Sequence, residues 1–550
     1  MVSTSYLVFG ISSSQSQLQH RPFSVSSMLL DSVPFVFAQS NGEPEFPLRY
    51  SDEIGIPVFN PPGFTSEVVA EGLALPTTMA FMSQNDILVL EKDKGTVMRI
   101  INGEVQPQPL LDVNVAPEVE RCMCGIAVSQ SNETGKTYVF LYFTEAEDED
   151  GGTAIGNRLY RYEFEDSTSG QMNGNSGSGS DSNSATLATN TSAGQLVNPL
   201  LLLDMPADPG PRHNGGAIMI GPDDNLYIPI GDVDKITGTT TEAQNNDQLP
   251  ADGTGGILRI TQDGEPVVDS STGDYILGDE YPLNLYYAYG IRNSFGIDFD
   301  PVTGNLWDTE NGPGYGDELN LVEPGFNSGW GQVMGIWERG GGDPREDEST
   351  VAPEQPEGLV DFDGRGHYHS PQLTWLYTIG PTAIKFLDSD KYGINYENDM
   401  FVGDVHAGSM YHFKLNQDRT ELLLEPPLDN KVADTDEESV SDSVLFATGF
   451  GGISDIEVSP YDGYLYVVSL GQGKIFKILP TSEVAGAIPP PPTPDVIPPP
   501  VVDDEEDDSE EQDIAEQDDD NDDVADDESD DDDDDNNNGN SDDDQDEDED

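Results

Sequence analysis

The feature that most constrains the fold is a recurring pair of short β-rich segments joined by a polar turn that contains glycine. The pair occurs six times between about Phe46 and Pro480. The six copies are Asp86–Ile100, Thr137–Phe164, Asn225–Ile260, Asn305–Val322, Asp399–Leu415 and Tyr464–Pro480. Apolar and polar residues alternate within each segment, which favours antiparallel hairpins over helices. Because one hairpin cannot bury its own faces, six in succession predict an all-β, six-bladed β-propeller.

The rest of the chain differs from this repeat in composition. An apolar stretch ending near Ala38 fits a cleaved signal peptide, so we expect a secreted or cell-surface protein, with a disordered leader as the alternative. Runs of Ser, Gly and Asn, of Pro, and of Asp and Glu cannot form a packed core. We therefore predict a leader (1–39), a propeller (45–482) with a flexible insertion (167–192), a proline-rich linker (483–502) and a disordered acidic tail (503–550).

The net charge of −83 excludes whole classes of partner. A chain this acidic does not bind DNA or RNA through a basic surface, and it repels anionic membranes. No apolar run reaches the length of about 18 residues that a membrane-spanning helix needs. The sequence leaves the oligomeric state open.

The chain contains two cysteines, Cys122 and Cys124, separated by one residue. A disulfide across that spacing would be strained, and two thiols alone make a poor metal site. We therefore expect two buried, unpaired thiols on one face of a strand.

One histidine occupies a position suited to a general base. His213 lies in the segment RHNGG, just before a predicted strand, and Asp232 ends the strand that follows. Neighbouring antiparallel strands can bring the two side chains together, where the carboxylate would orient the imidazole and stabilise its protonated form. Taken alone, the pair is equally consistent with a structural role.

A second set of polar residues lies between Tyr289 and Trp330. Arg292 and Asn293 follow a predicted strand, and an acid-rich loop with Gly312 and Pro313 comes after the next one. The backbone carbonyls of that loop are suitable ligands for Ca²⁺, which prefers oxygen. The alternative is that these residues satisfy turns and that the arginine pairs with a surface acid.

These motifs occur in an order that resembles one family. The order HNGG, PDDNLYIPIGD, ILRI, YGIRN, LWDTENGPGYGDELN and PGFNSGWG is similar to that of the soluble glucose/sorbosone dehydrogenases, from near Val58 to Leu479. Members of that family are six-bladed propellers that use pyrroloquinoline quinone (PQQ). The resemblance implies that PQQ lies across the top of the channel, above a catalytic Ca²⁺.

The resemblance also implies a function and a role for each matched residue. The function is oxidation of an aldose sugar at C1 to the lactone, by hydride transfer to the quinone, with an external electron acceptor. The implied roles are His213 as base, Asp232 as its orienting acid, Arg292 as electrostatic stabiliser, Asn293, Asn311 and His406 as cofactor-binding residues, and Gly312 and Pro313 as calcium ligands.

The cofactor-anchoring positions differ from those of the family. His406 replaces a lysine, and Gly452 and Ser454 stand where two arginines hold the carboxylates of PQQ. Each lost charge-assisted bond removes about 1.5 to 3 kcal/mol of binding. The second hypothesis is therefore a non-catalytic extracellular propeller that binds a glycan or a protein partner.

A further cluster, His367, Tyr368 and His369, precedes the fifth hairpin. It either lines the rim of the channel or takes part in ordinary loop packing.

Overall fold

The computed structural model describes residues 55–166, 194–235, 241–340, 342–345, 351–434 and 441–482. All of them lie within the first of two compact units, Met1–Ile488. The expected leader, the insertion 167–192, the linker and the acidic tail lie outside the described residues, so these assignments stay predictions.

Short strands dominate the described part of the chain. They are β1 (Val58–Phe59), β2 (Phe64–Glu71), β3 (Pro76–Ser83), β4 (Asp86–Glu91), β5 (Thr96–Ile101), β6 (Glu104–Val105), β7 (Leu111–Asp112), β8 (Met123–Gln130), β9 (Thr137–Ala146), β10 (Ala154–Glu165), β11 (Gln195–Met205), β12 (Met219–Ile220), β13 (Leu226–Ile230), β14 (Gly256–Ile260), β15 (Tyr286–Tyr289) and β16 (Ser294–Phe299). They continue as β17 (Leu306–Glu310), β18 (Asp317–Val322), β19 (Phe326–Asn327), β20 (Val333–Met334), β21 (Trp337–Glu338), β22 (His367–Tyr368), β23 (Leu373–Trp375), β24 (Pro381–Phe386), β25 (Met400–Asp404), β26 (Met410–Phe413), β27 (Val432–Ala433), β28 (Leu445–Thr448), β29 (Ile453–Val458), β30 (Leu465–Ser469) and β31 (Lys474–Pro480). Helical segments are single turns: the α-helix α1 (Ser441–Val444) and the 3₁₀ turns Leu283–Leu285 and Leu428–Asn430.

Among the described residues, six sheets have four or more strands. In chain order they contain β3–β7, β8–β11, β12–β15 with β19 and β22, β16–β18 with β23 and β27, β24–β26 with β28 and β1, and β29–β31 with β2; β20 and β21 form a separate hairpin. We number the six larger sheets first to sixth in that order. Each of the six predicted hairpins is an antiparallel pair in a different sheet, so the alternation of the sequence predicted them correctly.

An early strand completes the sheet of the last hairpin. Strand β2 pairs antiparallel with β31, from Phe64 opposite Pro480 to Glu71 opposite Lys474. A propeller ring is commonly closed in this way, because a strand from one end of the domain then completes the sheet formed by the other end. The all-β class and the propeller arrangement are therefore confirmed.

The middle strands of the sheets are apolar on both faces. Every residue of β13 (LYIPI) and β30 (LYVVS) is buried. A strand in a stack of sheets has a neighbour on each face, so a continuous apolar run replaces strict alternation there. The sheets thereby hold the loops that carry the polar motifs on a packed scaffold.

The expectation of two free thiols is wrong. Cys122 and Cys124 are buried as expected, but they form a disulfide, with their Cα atoms 5.1 Å apart. Cys122 precedes β8, and the pairing of β8 with β9 is irregular between Met123 and Gly125. The expectation assumed that both cysteines lie in one regular strand, and the structure does not have that regular strand here.

Within the described residues, no helix has the length and apolarity needed to cross a membrane.

Candidate active site

His213, in the loop before β12, and Asp232, just after β13, form a buried pair. His213 Nδ1 lies 2.6 Å from Asp232 Oδ1, and both residues are at most 5% exposed. The backbone joins them as well, because Val233 N donates to His213 O at 3.2 Å. With Nδ1 engaged by the carboxylate, Nε2 is the ring nitrogen left for proton transfer.

Asp232 is held as a carboxylate by its surroundings. Its second oxygen, Oδ2, accepts a hydrogen bond from Trp330 Nε1 at 2.7 Å. Burial alone would raise the pKa of Asp232, but the hydrogen bond and charge of His213 outweigh it, so the pKa lies below its usual value. The pair therefore combines an ionised acid with an imidazole whose orientation is fixed.

Arg292 lies beside this pair and has unused hydrogen-bonding capacity. Its Nη1 donates to Asn311 O at 2.6 Å, and its guanidinium lies 5.3 Å from the centre of the Trp330 ring. Within the described part of the chain, the buried Arg292 Nε has no hydrogen-bond partner. An unpaired buried donor costs about 1 to 3 kcal/mol, so its retention suggests a ligand that accepts from it.

Asn293 is joined to the histidine by a residue that the sequence did not indicate. Glu120 Oε2 accepts from His213 N at 2.7 Å and from Asn293 Nδ2 at 3.0 Å. Asn293 Oδ1 is buried and lacks a partner among the described residues. Glu120 therefore links two predicted site residues, and Asn293 presents a second unsatisfied atom.

The loop after β17 is fixed by one buried carboxylate. Asp317 Oδ1 accepts from Gly312 N at 2.8 Å, and Asp317 Oδ2 accepts from Gly380 N at 2.8 Å. A Cβ atom at Gly312 would lie 1.9 Å from Tyr315 O, so only glycine fits there. The turn that carries the carbonyl groups of Gly312 and Pro313 is thus rigidly placed.

Asn311 and His406 belong to the adjoining part of the same region. Asn311 Nδ2 donates to Pro381 O at 2.9 Å. The ring of His406 lies next to Gly380, where an added Cβ would be 3.0 Å from His406 Nε2. The loop of the fifth sheet therefore reaches the residues that neighbour Asn311.

Two further positions were expected to replace anchoring arginines. Gly452 lies close to Val405: a Cβ atom built on Gly452 would be 3.0 Å from the carbonyl oxygen of Val405. The hydroxyl of Ser454 donates to Pro76 O at 2.9 Å. Neither position provides a cation.

Arg339 supplies positive charge that the sequence did not predict. Its guanidinium lies 3.8 Å from the centre of the Trp330 ring, on which Arg292 also packs. Burial lowers the pKa of Arg339, although arginine stays charged at neutral pH. Two cations therefore flank one indole whose N–H binds the Asp232 carboxylate.

Buried carboxyl groups of the fourth sheet lie behind Arg292. Glu310 Oε1 accepts from Arg292 N at 2.6 Å, and Ser328 Oγ lies within hydrogen-bond distance of both Glu310 Oε2, at 2.5 Å, and Glu318 Oε2, at 3.1 Å. Burial raises the pKa of Glu318 to about 8 and that of Asp308 to about 7. Burial, together with Glu318, also raises the pKa of Glu310 well above its usual value. A shared proton is therefore favoured here at neutral pH.

The structure thus connects most of the predicted site residues. Hydrogen bonds and ring contacts link His213, Asp232, Arg292, Asn293 and Asn311, directly or through Glu120 and Trp330. Gly312 follows Asn311 in the chain and is fixed by Asp317. Trp330 ends the motif PGFNSGW, so the sequence could have identified it as a site residue. Glu120 and Arg339 stand in segments that carry no recognisable motif.

Comparisons with known proteins agree with this architecture. The sequence profile of the family "Glucose / Sorbosone dehydrogenase" matches residues 73–477. An uncharacterized protein of Synechocystis is 24% identical over 437 residues, which is 78% of this chain and 88% of that protein. The aldose sugar dehydrogenase YliI of Escherichia coli is 24% identical over 271 residues, 49% of this chain and 60% of that enzyme.

Solved structures share the fold. The PQQ-bound aldose sugar dehydrogenase of Streptomyces coelicolor superposes with a TM-score of 0.50 and 23% identity, over 76% of this chain and 99% of that chain.

Proposed function

Because the chain belongs to the glucose/sorbosone dehydrogenase family, we propose that it is a PQQ- and calcium-dependent dehydrogenase that oxidises an aldose at C1 to the lactone. The observation that carries this proposal is the buried His213–Asp232 pair, with Arg292 and its unsatisfied Nε beside it. A base of fixed tautomer next to a cation is what removal of a hydroxyl proton, with transfer of hydride to an electron acceptor, requires.

His213 Nε2 accepts the proton of the hydroxyl group at C1. Asp232 keeps the Nδ1–H tautomer and stabilises the imidazolium that forms. Arg292 provides positive charge where negative charge develops. When bound, PQQ would supply the quinone that takes the hydride, and Ca²⁺ would polarise its carbonyl.

The residues present fit such a cofactor. Arg292 Nε can donate to a quinone or carboxylate oxygen, and Asn293 Oδ1 can accept from an N–H group. Asn311 and His406 would complete the polar lining, while Gly312 and Pro313 offer carbonyl oxygens to Ca²⁺. The anchoring cations of the family are replaced in this chain, and Arg339 supplies a positive charge beside the site instead.

Addition of PQQ to the purified full-length protein with Ca²⁺ is expected to give saturable binding with one cofactor per chain. Aldoses should then reduce an external dye, and chelation of Ca²⁺ should abolish both signals because the carbonyl ligands alone do not hold the cofactor. Calorimetric titration and dye reduction measure the two effects.

Absence of both PQQ binding and dye reduction would reject the enzyme and favour a non-catalytic propeller that binds a glycan or a protein. The observation behind that alternative is that Gly452 and Ser454 provide no anchoring charge. A glycan-array experiment on the same sample would then identify a carbohydrate ligand.

Replacement of Arg339 by glutamine is expected to weaken PQQ binding by about 10- to 150-fold, the equivalent of one charge-assisted bond. Arg365→Gln is the matched control, because Arg365 is an exposed arginine in a surface loop. Titration of both variants with PQQ in the presence of Ca²⁺ gives the comparison. Equal affinities for the Arg339 variant and the wild type would remove Arg339 from the cofactor site.

The same proposal extends to the organisation of the protein. We assign one blade to each of the six larger sheets, within a propeller domain of residues 45–482; the six antiparallel hairpins support this count. A sugar oxidised outside the cell needs an exported enzyme and an external electron acceptor, in agreement with the apolar leader of the sequence.

A further inference from the structure

Glu323, His367 and His369 form a surface cluster of metal-ligating side chains that takes no part in the candidate active site. One ligand atom from each residue lies within 4.8 Å of the other two. Glu323 Oε2 is 3.8 Å from His367 Nε2 and 3.7 Å from His369 Nε2. The two imidazole rings meet edge to face, with their centres 5.0 Å apart. We call these three residues the His–Glu cluster.

Alternating burial at the end of β22 leaves both histidines accessible to solvent. Tyr368, between them, is 7% exposed, whereas the side chains of His367 and His369 are 38% and 57% exposed. Successive side chains of a strand point to opposite faces, so the pattern His-Tyr-His buries the tyrosine and presents both imidazoles to solvent.

The backbone brings the glutamate to the same place. Strand β22 pairs in parallel with β19, and His367 N donates to Gly325 O at 3.0 Å. Phe326 N donates to Glu323 O at 2.9 Å, which closes the turn before β19. The main chain therefore sets the positions of Glu323 and His367.

The distances fit a small transition-metal ion. Zn²⁺ binds imidazole nitrogen at about 2.0 to 2.1 Å and carboxylate oxygen at about 2.0 to 2.2 Å, so tetrahedral ligands lie about 3.4 Å apart. The two separations between Glu323 and the histidines, 3.8 and 3.7 Å, exceed that value by a few tenths of an ångström, which is within the reach of a small side-chain rotation.

We propose that the His–Glu cluster binds a divalent transition-metal ion, with Zn²⁺ as its occupant. Two imidazole nitrogens and one carboxylate oxygen are three of the four ligands, and solvent water completes the tetrahedron. The high negative charge of the chain raises the local concentration of cations.

The bound ion joins β22 to the turn before β19. The chain continues from β19 directly to Ser328 and Trp330, whose side chains contact Glu318 and Asp232. Zn²⁺ therefore braces the segment that carries Trp330.

Calorimetric titration of the chelator-treated, full-length protein with Zn²⁺ tests this site. Millimolar Ca²⁺ in the buffer occupies sites made only of carboxylates, and omission of reductant keeps Cys122 and Cys124 paired. We expect one Zn²⁺ per chain, and Co²⁺ in its place should give the visible absorption of a tetrahedral site.

Glu323→Gln and His369→Gln should each weaken Zn²⁺ binding by at least about 100-fold, because loss of a ligand costs more than loss of an outer partner. Glu354→Gln, at an exposed glutamate outside the cluster, should not change it.

Two results would overturn the proposal. One is the lack of a saturable Zn²⁺ event in the wild type under these conditions. The other is a Zn²⁺ affinity that stays the same in Glu323→Gln, His367→Gln and His369→Gln, because the ion would then bind elsewhere. The side chains of the cluster are 38 to 57% exposed, so these variants should fold, and far-ultraviolet circular dichroism checks this. Neither result bears on PQQ binding.

Discussion

Replacement of His213 by asparagine is expected to lower kcat for the proposed aldose oxidation by about 10²- to 10⁴-fold without loss of the fold. Nε2 is the only ring nitrogen left for proton transfer, because Nδ1 binds Asp232 at 2.6 Å. Asparagine is the appropriate replacement: His213 has a φ of 60°, a left-handed conformation that asparagine tolerates well, and its amide can still donate to Asp232. Steady-state dye reduction by the PQQ- and Ca²⁺-loaded protein gives kcat.

His412→Asn is the matched control for this experiment. His412 also pairs with a carboxylate, through Nε2 and Asp399 Oδ2 at 2.8 Å, but it lies on β26 among aromatic residues away from the site. Its kcat should equal that of the wild type. A His213 variant that keeps more than about one tenth of the wild-type kcat, with PQQ bound, would show that another group removes the proton.

The fold was accessible from the sequence because its signals are local. Short β-rich runs, alternating with polar residues except in the buried middle strands, mark the strands, and glycine marks the turns, so all six hairpins were located. The pairing of β2 with β31 depends on contacts more than 400 residues apart, and no short pattern encodes it. The disulfide was missed for a related reason, since the irregular pairing beside Cys124 is a property of two strands.

The candidate site divides in the same way. His213 and Asp232 stand in adjacent motifs of one sheet, so their contact could be expected from the order of the strands. Glu120 reaches the site from the loop before β8, 93 residues from His213 in sequence. Arg339 reaches it by stacking on Trp330. Such contacts arise only when the loops of different sheets converge, and a single sequence contains no record of that convergence.

Replacement of Lys385 by methionine is expected to lower the free energy of unfolding by about 3 to 5 kcal/mol near neutral pH. Lys385, on β24, contacts Asp298 of β16 at 3.2 Å and Glu457 of β29 at 2.9 Å, so one ammonium joins the fourth, fifth and sixth sheets. Its side chain is 17% exposed, and that of Asp298 is 6% exposed. Methionine preserves the apolar stem but leaves a buried carboxylate without its cation. Urea denaturation of the wild type and the variant measures the difference.

Lys414→Met is the matched control, because Lys414 is 51% exposed and lies 3.8 Å from Asp399. Exposed pairs of this kind contribute about 0 to 1 kcal/mol. The double variant Lys385→Met/Asp298→Asn should recover part of the lost stability, since the unpaired charge is then absent. A loss below about 1 kcal/mol in the single variant would mean that the pair does not hold the three sheets together.

The stability loss in the Lys385 variant should also depend on pH in one direction. Burial raises the pKa of Asp298 to about 6 even with Lys385 beside it, and removal of the cation raises that pKa further. The folded variant then binds a proton that the unfolded chain releases, and a state that binds more protons loses stability as the pH rises. The deficit relative to the wild type should therefore be larger at about pH 8 than at about pH 5, where Asp298 is protonated in the variant. Urea midpoints measured across this range would contradict the assignment of Asp298 as the unpaired acid if the deficit stayed constant or grew towards low pH.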